Sequence, residues 1–295
     1  MSTLETETPH PDHPRLDEYE TRSLVDALID DQELAADAVR RAAAFITAAV
    51  DAAVPRLEAG GRLIYIGAGT LGRLGLLDSV ELYPTFSWPP ERALALLAGG
   101  RDALYRAVEG AEDDRENGAH DLHAVNPSRD DVVILLAASG ATPYVMGALA
   151  AARAAGALTI GIGNNAGAPI AHEAEIGIVL ETGYELISGS TRLKAGTAQK
   201  IALNTLSSAV MVRMNKVYGN LMVDLKPTNA KLRERVVRLT VLATGATEDR
   251  AREALEASAF HVKVAIVAIK RNLTPADART RLAAVRGSVR AALAE

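Results

Sequence analysis

The sequence predicts an α/β protein with an open, parallel, five-stranded sheet, a helical arm before the sheet and a small helical subdomain after it. Five short apolar runs carry this prediction, because the first four are each followed by glycine and a helical segment. The composition agrees with it. Hydrophobic residues make up 48% of the chain and aromatic residues only 4%, so Ala, Val, Ile and Leu must form a core of helices packed on strands.

The chain begins with a polar stretch. Residues 1–15 are acidic, contain proline and lack the apolar centre of a secretory signal, so we predict a flexible tail over residues 1–20. Residues 23–57 are rich in alanine and have helical spacing of apolar positions until Gly60 and Gly61 end the pattern. They form the predicted helical arm.

The predicted strands occupy residues 62–66, 93–97, 132–137, 158–162 and 176–180. The run Val-Val-Ile-Leu-Leu at 132–136 has no polar alternation, which is typical of a strand buried on both faces of a sheet. Ligands bind at the carboxyl ends of strands in such sheets. Functional residues are therefore expected directly after each strand.

A long helix is predicted over residues 193–217, and the sequence changes character at Lys226-Pro227-Thr228-Asn229. Short amphipathic segments with turn signals follow. The predicted organisation is a tail at residues 1–20, a main domain at 21–228 that includes the arm, and a helical subdomain at 229–295.

Charge and composition exclude several classes of function. Lys and Arg total 32 against 37 Asp and Glu, a net charge of −5, which argues against a nucleic-acid partner. We predict no membrane association, since no apolar run approaches the roughly 20 residues needed to span a bilayer. The chain has no cysteine, which excludes thiolate chemistry and is compatible with a reducing cytoplasm.

Two glycine-containing motifs follow predicted strands. Residues 67–73, Gly-Ala-Gly-Thr-Leu-Gly-Arg, place backbone N–H groups at a helix start, where an anion can bind. The same glycines have the GxGxxG spacing of a dinucleotide site, although the acidic residue expected about 20 residues later is not evident. Residues 138–143, Ala-Ser-Gly-Ala-Thr-Pro, admit two interpretations, an N-cap at Thr142 and an anion site, and the two are compatible.

A third motif occupies residues 189–200, Gly-Ser-Thr-Arg-Leu-Lys-Ala-Gly-Thr-Ala-Gln-Lys. It places hydroxyl and cationic side chains at the start of an otherwise apolar helix. A solvated cap could produce a similar pattern. The two glycines, two threonines, lysine and arginine exceed what capping requires, so we interpret the motif as part of a binding site.

Together, residues 67–78, 108–114, 137–145, 189–200 and 218–224 resemble the N-acetylmuramic acid 6-phosphate etherases. The resemblance covers nearly everything after the tail. It implies a sugar-phosphate isomerase (SIS) domain, a three-layer αβα sandwich. Similar segments occur in the glucokinase regulatory proteins. However, the chain is short, with room for one SIS domain, and its run Glu109-Gly-Ala-Glu112-Asp113 resembles the bacterial enzymes.

In that family the enzyme removes D-lactate from carbon 3 of the open-chain sugar by β-elimination and then adds water, which gives N-acetylglucosamine 6-phosphate. Carbon 2 is acidified by the neighbouring aldehyde, so one carboxylate can act as base while a protonated carboxyl assists the leaving ether oxygen. The resemblance assigns Glu112 as base and Glu81 as acid. From the residues alone, each could be a surface carboxylate of a helix, and the acidic run around Glu112 favours that interpretation for Glu112.

The resemblance also implies a sugar-phosphate ligand, no cofactor, no metal, a homodimer and a cytoplasmic enzyme. The implied substrate and phosphate contacts are Gly69, Thr70, Arg73, Ser139, Gly140, Thr142, Glu185, Ser190 and Lys194. Glu185 is expected to contact the sugar. For Arg73, a structural role is the alternative to ligand binding.

Five positions depart from the family pattern. Leu71 stands where Ser is typical, Ala141 where Arg is common, Leu193 where Met is usual, and Leu82-Tyr83 replaces a Cys-Pro pair. These changes put substrate affinity and substrate identity in question.

Three other functions remain open. The pairs His10 and His13, and His120 and His123, are each three residues apart, but neither has a clear third metal ligand nearby. A non-catalytic sugar-phosphate regulator would keep the pocket without the reaction. An aldose–ketose isomerase would share proton abstraction at carbon 2 but return the proton to carbon 1.

Overall fold

In the computed structural model, which describes residues 4–225, 227 and 229–294, five parallel strands form the central sheet. The strands are β1 (Leu63–Gly67), β2 (Ala93–Leu97), β3 (Val132–Leu136), β4 (Leu158–Gly163) and β5 (Ile176–Val179), in the spatial order β2-β1-β3-β4-β5. Strand β2 coincides with its predicted run. Each of the other four strands differs from its own predicted run by one residue at one or both ends. The predicted α/β class is confirmed.

Helices precede, alternate with and follow these strands. The described α-helices are α1 (Thr21–Arg41), α2 (Ala43–Glu58), α3 (Gly69–Phe86), α4 (Arg115–Ala124), α5 (Pro143–Ala154), α6 (Pro169–Glu173), α7 (Lys194–Arg213), α8 (Ala230–Thr244), α9 (Glu248–Ala257), α10 (Val262–Arg271), α11 (Pro275–Ala284) and α12 (Val289–Leu293). A short antiparallel hairpin, β6 (Val217–Tyr218) and β7 (Leu221–Met222), follows α7.

The sheet is covered on both faces, because alternate residues of a strand point to opposite sides. Ile64 and Val133 share one core cluster with Leu149 of α5. On the opposite face, the Tyr65 hydroxyl donates a hydrogen bond to Asp78 of α3 at 2.8 Å. The result is three layers, helix, sheet and helix, as the family resemblance implies.

Helices α4 and α5 approach each other closely at two glycines. A Cβ on Gly118 would lie 1.8 Å from the carbonyl oxygen of Tyr144, and one on Gly147 would lie 1.9 Å from that of Arg115. Only residues without a side chain fit here. This packing holds the start of α4, and the 3₁₀ turn Ala111–Asp113 just before it, beside α5.

Residues Leu4–Thr8, here called the N-terminal strap, lie against the sheet-containing part of the chain. Thr6 is completely buried, and its N–H donates to the side chain of Asn165 at 3.3 Å. The sequence does not predict this contact, since its polar character over residues 1–20 indicates a flexible tail.

The chain folds into two compact units, the first comprising Met1–Ser79 and Glu91–Ser208, the second Val80–Pro90 and Ala209–Glu295. The second unit has its own core, in which Val236, Leu255 and Ile266 are completely buried. The domain boundary predicted at residue 228 lies outside the described residues. No helix of the described chain has both the length and the apolar character that crossing a membrane requires.

Candidate active site

A cavity of about 420 Å³ lies at the carboxyl ends of β1 and β3, which are neighbours in the sheet. Its walls come from the turn after β1, the turn after β3, the segment before α4, the loop before α7 and the N-terminal strap. This is the position at which open parallel sheets bind ligands. Each wall contributes a different kind of group.

The turn after β1 brings the first turn of α3 to the cavity. A Cβ on Gly67 would lie 2.7 Å from the Gly72 nitrogen, so the chain can reverse this tightly only with glycine there. Thr70 and Leu71 line the cavity together with Gly69. The N–H groups of this turn are those that a helix leaves without intrahelical partners.

Arg73, one turn along α3, is directed elsewhere. Its Nε donates to the carbonyl oxygen of Ala103 at 2.9 Å, and it is not among the residues that line the cavity. This geometry matches the structural alternative that the sequence leaves open for Arg73.

The turn after β3 supplies two hydroxyls. Ser139 lines the cavity, and its Oγ accepts a hydrogen bond from the Ala141 N–H at 3.2 Å. Thr142 is the N-cap residue of α5, with Pro143 next, yet within the described residues its hydroxyl forms no capping hydrogen bond. It lines the cavity instead. Thr142 therefore occupies the predicted cap position, and its hydroxyl lies in the wall of the cavity.

Gly140 shapes this turn without lining the cavity. Its φ is +75°, and a Cβ there would lie 2.4 Å from that of Ala168. A side chain would be both strained and in collision.

The acidic segment before α4 contains carboxylates with different roles. Glu112 and Asp113, on the 3₁₀ turn, line the cavity. Asp114 instead caps α4, because its carboxylate accepts a hydrogen bond from the Asn117 N–H at 2.9 Å. Glu112 thus differs from Asp114, because it lines the cavity and does not cap the helix.

The start of α7, which the sequence suggests as a phosphate site, is occupied by the carboxylate of Glu185. Glu185 is completely buried, and its two oxygens accept hydrogen bonds from the N–H groups of Lys194 at 3.0 Å and Ala195 at 2.8 Å. Burial raises the pKa of Glu185, although both hydrogen bonds oppose the shift. Gly189 and Thr191 line the cavity, whereas Ser190 between them does not.

The Lys194 ammonium is also used within the protein. It donates to Asp31 of α1 at 2.5 Å, and both side chains are almost fully buried. A buried charge must be paired, so this ammonium is held away from the cavity. The structure therefore does not bring Lys194 or Glu185 together with Thr70, Ser139 and Thr142.

The two predicted catalytic glutamates belong to different units. Glu112 lies in the first, whereas Glu81 is an exposed residue of α3 in the part of the chain, Val80–Pro90, that belongs to the second.

Two further carboxylates, Glu7 and Asp113, line the cavity without having been predicted from the sequence. The described lining thus contains three carboxylates, Glu7, Glu112 and Asp113, and neither lysine nor arginine. A phosphate would be met by hydroxyls and backbone N–H groups. No group of three or more metal-ligating side chains occurs among the residues that the structure describes.

Comparison with known families and proteins identifies a consistent set of relatives. Residues 45–153 match the glucokinase regulatory protein N-terminal SIS domain family, and residues 111–209 match the SIS domain family. The chain is 57% identical over 290 residues to an N-acetylmuramic acid 6-phosphate etherase of Deinococcus radiodurans, covering 98% of this chain and 95% of that protein. It is 48% identical to the etherase of Rubrobacter xylanophilus, covering 100% of this chain and 97% of that protein.

Solved structures are similar in fold. A phosphoheptose isomerase from Francisella tularensis superposes with a TM-score of 0.51 at 17% identity, covering 66% of this chain and all of that one (100%). The phosphoheptose isomerase of Neisseria gonorrhoeae has a TM-score of 0.50 at 13% identity, covering 65% of this chain and 98% of that one. The expected SIS-type architecture is thereby confirmed.

Proposed function

The chain belongs to the N-acetylmuramic acid 6-phosphate etherase family, and on this premise we propose that it cleaves the D-lactyl ether of N-acetylmuramic acid 6-phosphate. The products are D-lactate and N-acetylglucosamine 6-phosphate. The observation that carries the proposal is the identity of 57% with an etherase over 98% of the chain. A cavity at the carboxyl ends of β1 and β3 offers the hydroxyls and helix N–H groups that a sugar phosphate needs.

The reaction assigns opposite tasks to two carboxyl groups. A base removes the proton from carbon 2, the electron pair forms a double bond to carbon 3, and the bond between carbon 3 and the ether oxygen breaks. An acid gives that oxygen a proton, so lactate keeps the oxygen as its hydroxyl. Water then adds across the double bond. Glu112 is the proposed base and Glu81 the proposed acid, and the presence of Glu112 in the cavity supports a catalytic role for this residue.

The proposed phosphate contacts are Gly69, Thr70, Ser139 and Thr142. Their support is that all four line one cavity at the starts of α3 and α5. For the remaining predicted binding residues we propose an indirect role, in which they shape the turns and helix starts around the ligand: Arg73, Gly140, Glu185, Ser190 and Lys194. No cofactor and no metal enter this mechanism.

We further propose a cytoplasmic homodimer. Support for self-association comes from α1, which leaves Val25 and Ile29 exposed at 45% and 53%. These residues are four apart and so share one face of the helix. A partner that covers this face would remove apolar surface from water.

The proposed function is tested by incubating the purified chain with N-acetylmuramic acid 6-phosphate and analysing the products by mass. Release of lactate with formation of N-acetylglucosamine 6-phosphate is expected. An isomerase would instead yield a sugar of unchanged mass, and a non-catalytic regulator would bind the substrate and leave it intact. Either of these results would refute the proposal.

A further inference from the structure

The N-terminal strap carries a carboxylate to the candidate active site. Glu7 lines the cavity alongside Thr70, Ser139 and Thr142. A Cβ built on Gly189, in the adjoining loop before α7, would lie 3.0 Å from Glu7 Oε2, which shows how closely the carboxylate approaches that loop. Neither the etherase mechanism nor the phosphate contacts use this group.

Hydrogen bonds on both sides of Glu7 fix its backbone. The Thr6 carbonyl accepts from the Gly189 N–H at 2.8 Å, and the Thr6 hydroxyl accepts from Asn165 Nδ2 at 3.0 Å. The carbonyl of Glu7 itself accepts from the Ser188 hydroxyl at 2.8 Å. Because the strap is already ordered, a ligand that contacts Glu7 need not offset the entropy of fixing its backbone.

The chemistry of a carboxylate restricts what Glu7 can bind. An ionised carboxylate only accepts hydrogen bonds, and it repels other anions. The proposed substrate carries two anionic groups, the phosphate and the lactyl carboxylate, which Glu7 cannot pair with. It also carries neutral donors, namely the sugar hydroxyls and the amide N–H of the acetamido group.

We propose that Glu7 is a specificity-determining residue that accepts a hydrogen bond from a hydroxyl or the amide of the sugar. This inference rests on the proposed function, since it assumes a phosphorylated amino sugar in the cavity. Glu7 then has a double effect. It favours ligands that present sugar donors, and it disfavours a bare phosphate, which offers only negative charge.

The test compares two ligands on three variants by calorimetry. Glu7→Ala is expected to weaken binding of N-acetylglucosamine 6-phosphate about tenfold, as the loss of one charge-assisted hydrogen bond implies. Binding of inorganic phosphate should stay equal or become tighter, since a repulsive charge is removed. Glu7→Gln keeps an acceptor oxygen and should lose less affinity for the sugar phosphate. Glu5→Ala is the matched control, because Glu5 is an exposed carboxylate of the same strap that does not line the cavity.

The ratio of the two affinities separates a substrate contact from a structural effect. A loss confined to the sugar phosphate supports the proposal. It is overturned if Glu7→Ala leaves both affinities unchanged, weakens both equally, or tightens the sugar phosphate. Thermal unfolding of each variant checks the fold, and an intact phosphate affinity checks the site. If the unmodified chain binds N-acetylglucosamine 6-phosphate but releases no lactate from the ether, the proposed function fails while the affinity ratio still decides the role of Glu7.

Discussion

Glu112 reaches the cavity through local backbone geometry. Gly110, with φ of +72°, turns the chain into the 3₁₀ segment Ala111–Asp113, and Asp114 then caps α4. Neighbouring carboxylates in one acidic run thus face different surroundings. The run itself gives no reason to prefer Glu112 over its neighbours, so the sequence could select it only through the family resemblance.

The division of work between the two glutamates is testable by isotope exchange. Glu112→Gln should abolish both lactate release and solvent-deuterium incorporation at carbon 2, because an amide cannot serve as the base. Glu81→Gln should stop lactate release yet leave some exchange at carbon 2, since the proton can leave without the leaving-group acid. Mass spectrometry of the sugar measures both. Glu116→Gln, which changes an exposed carboxylate of the same acidic segment, should behave like the unmodified chain.

The reverse pattern in the two variants would exchange the roles of acid and base. If both variants kept near-normal lactate release, the mechanism with two carboxyl groups would be wrong for this chain.

Leu71 offers a graded test of the phosphate site. It lines the cavity at the first turn of α3 and is only 6% exposed. Leu71→Ser should lower the KM by about threefold to tenfold if the new hydroxyl donates to phosphate. Leu71→Ala removes the same bulk without adding a donor and should not lower the KM. Equal KM values for the two variants would place this side chain outside the phosphate contacts.

At the scale of elements, the hydrogen bonds at the first turn of each helix determine which of the predicted contact residues remain available to a ligand. The cap position of Thr142 could be predicted because the signal, Thr followed by Pro, is local. The capping of α7 by Glu185 and the pairing of Lys194 with Asp31 could not. The second of these joins residues 163 apart in the chain, and no periodicity or motif encodes such a contact.

The buried ion pair between Lys194 and Asp31 predicts that Lys194 stabilises the fold. Lys194→Met should destabilise the protein by roughly 3–5 kcal/mol, because it leaves the Asp31 carboxylate buried without a partner. The measurement is chemical unfolding, and Lys200→Met on an exposed position of α7 is the control. Adding Asp31→Asn to Lys194→Met should recover part of the loss. A large rise in KM with unchanged stability would show instead that Lys194 contacts the substrate.

At the scale of the whole molecule, the order of strands and helices along the chain could be predicted from the sequence. The division of the chain into two units could not. Strands such as β3 are continuous apolar runs, so their positions follow from composition and glycine signals. The second unit includes Val80–Pro90, a segment distant in sequence from Ala209–Glu295. The strap escapes sequence-based detection because its buried anchor, Thr6, is polar. Both features depend on contacts between distant parts of the chain.

Self-association is tested by charging the exposed face of α1. If the chain forms the proposed homodimer through this face, Ile29→Arg should give a monomer at micromolar concentration, since a buried unpaired charge is costly in an interface. Light scattering after size exclusion measures the mass. Ala154→Arg adds the same charge at an exposed position of α5 and should leave the dimer intact. A dimer in both variants would place the interface elsewhere.

The central claim, that the chain breaks the bond between carbon 3 of the sugar and the ether oxygen, is tested most directly by running the reaction in heavy-oxygen water. Lactate should be released without label in its hydroxyl, because it keeps the ether oxygen. N-acetylglucosamine 6-phosphate should carry one solvent oxygen at carbon 3, located by fragmentation to separate it from exchange at the aldehyde. Labelled lactate hydroxyl, or no lactate at all, would contradict the elimination and with it the account of this site.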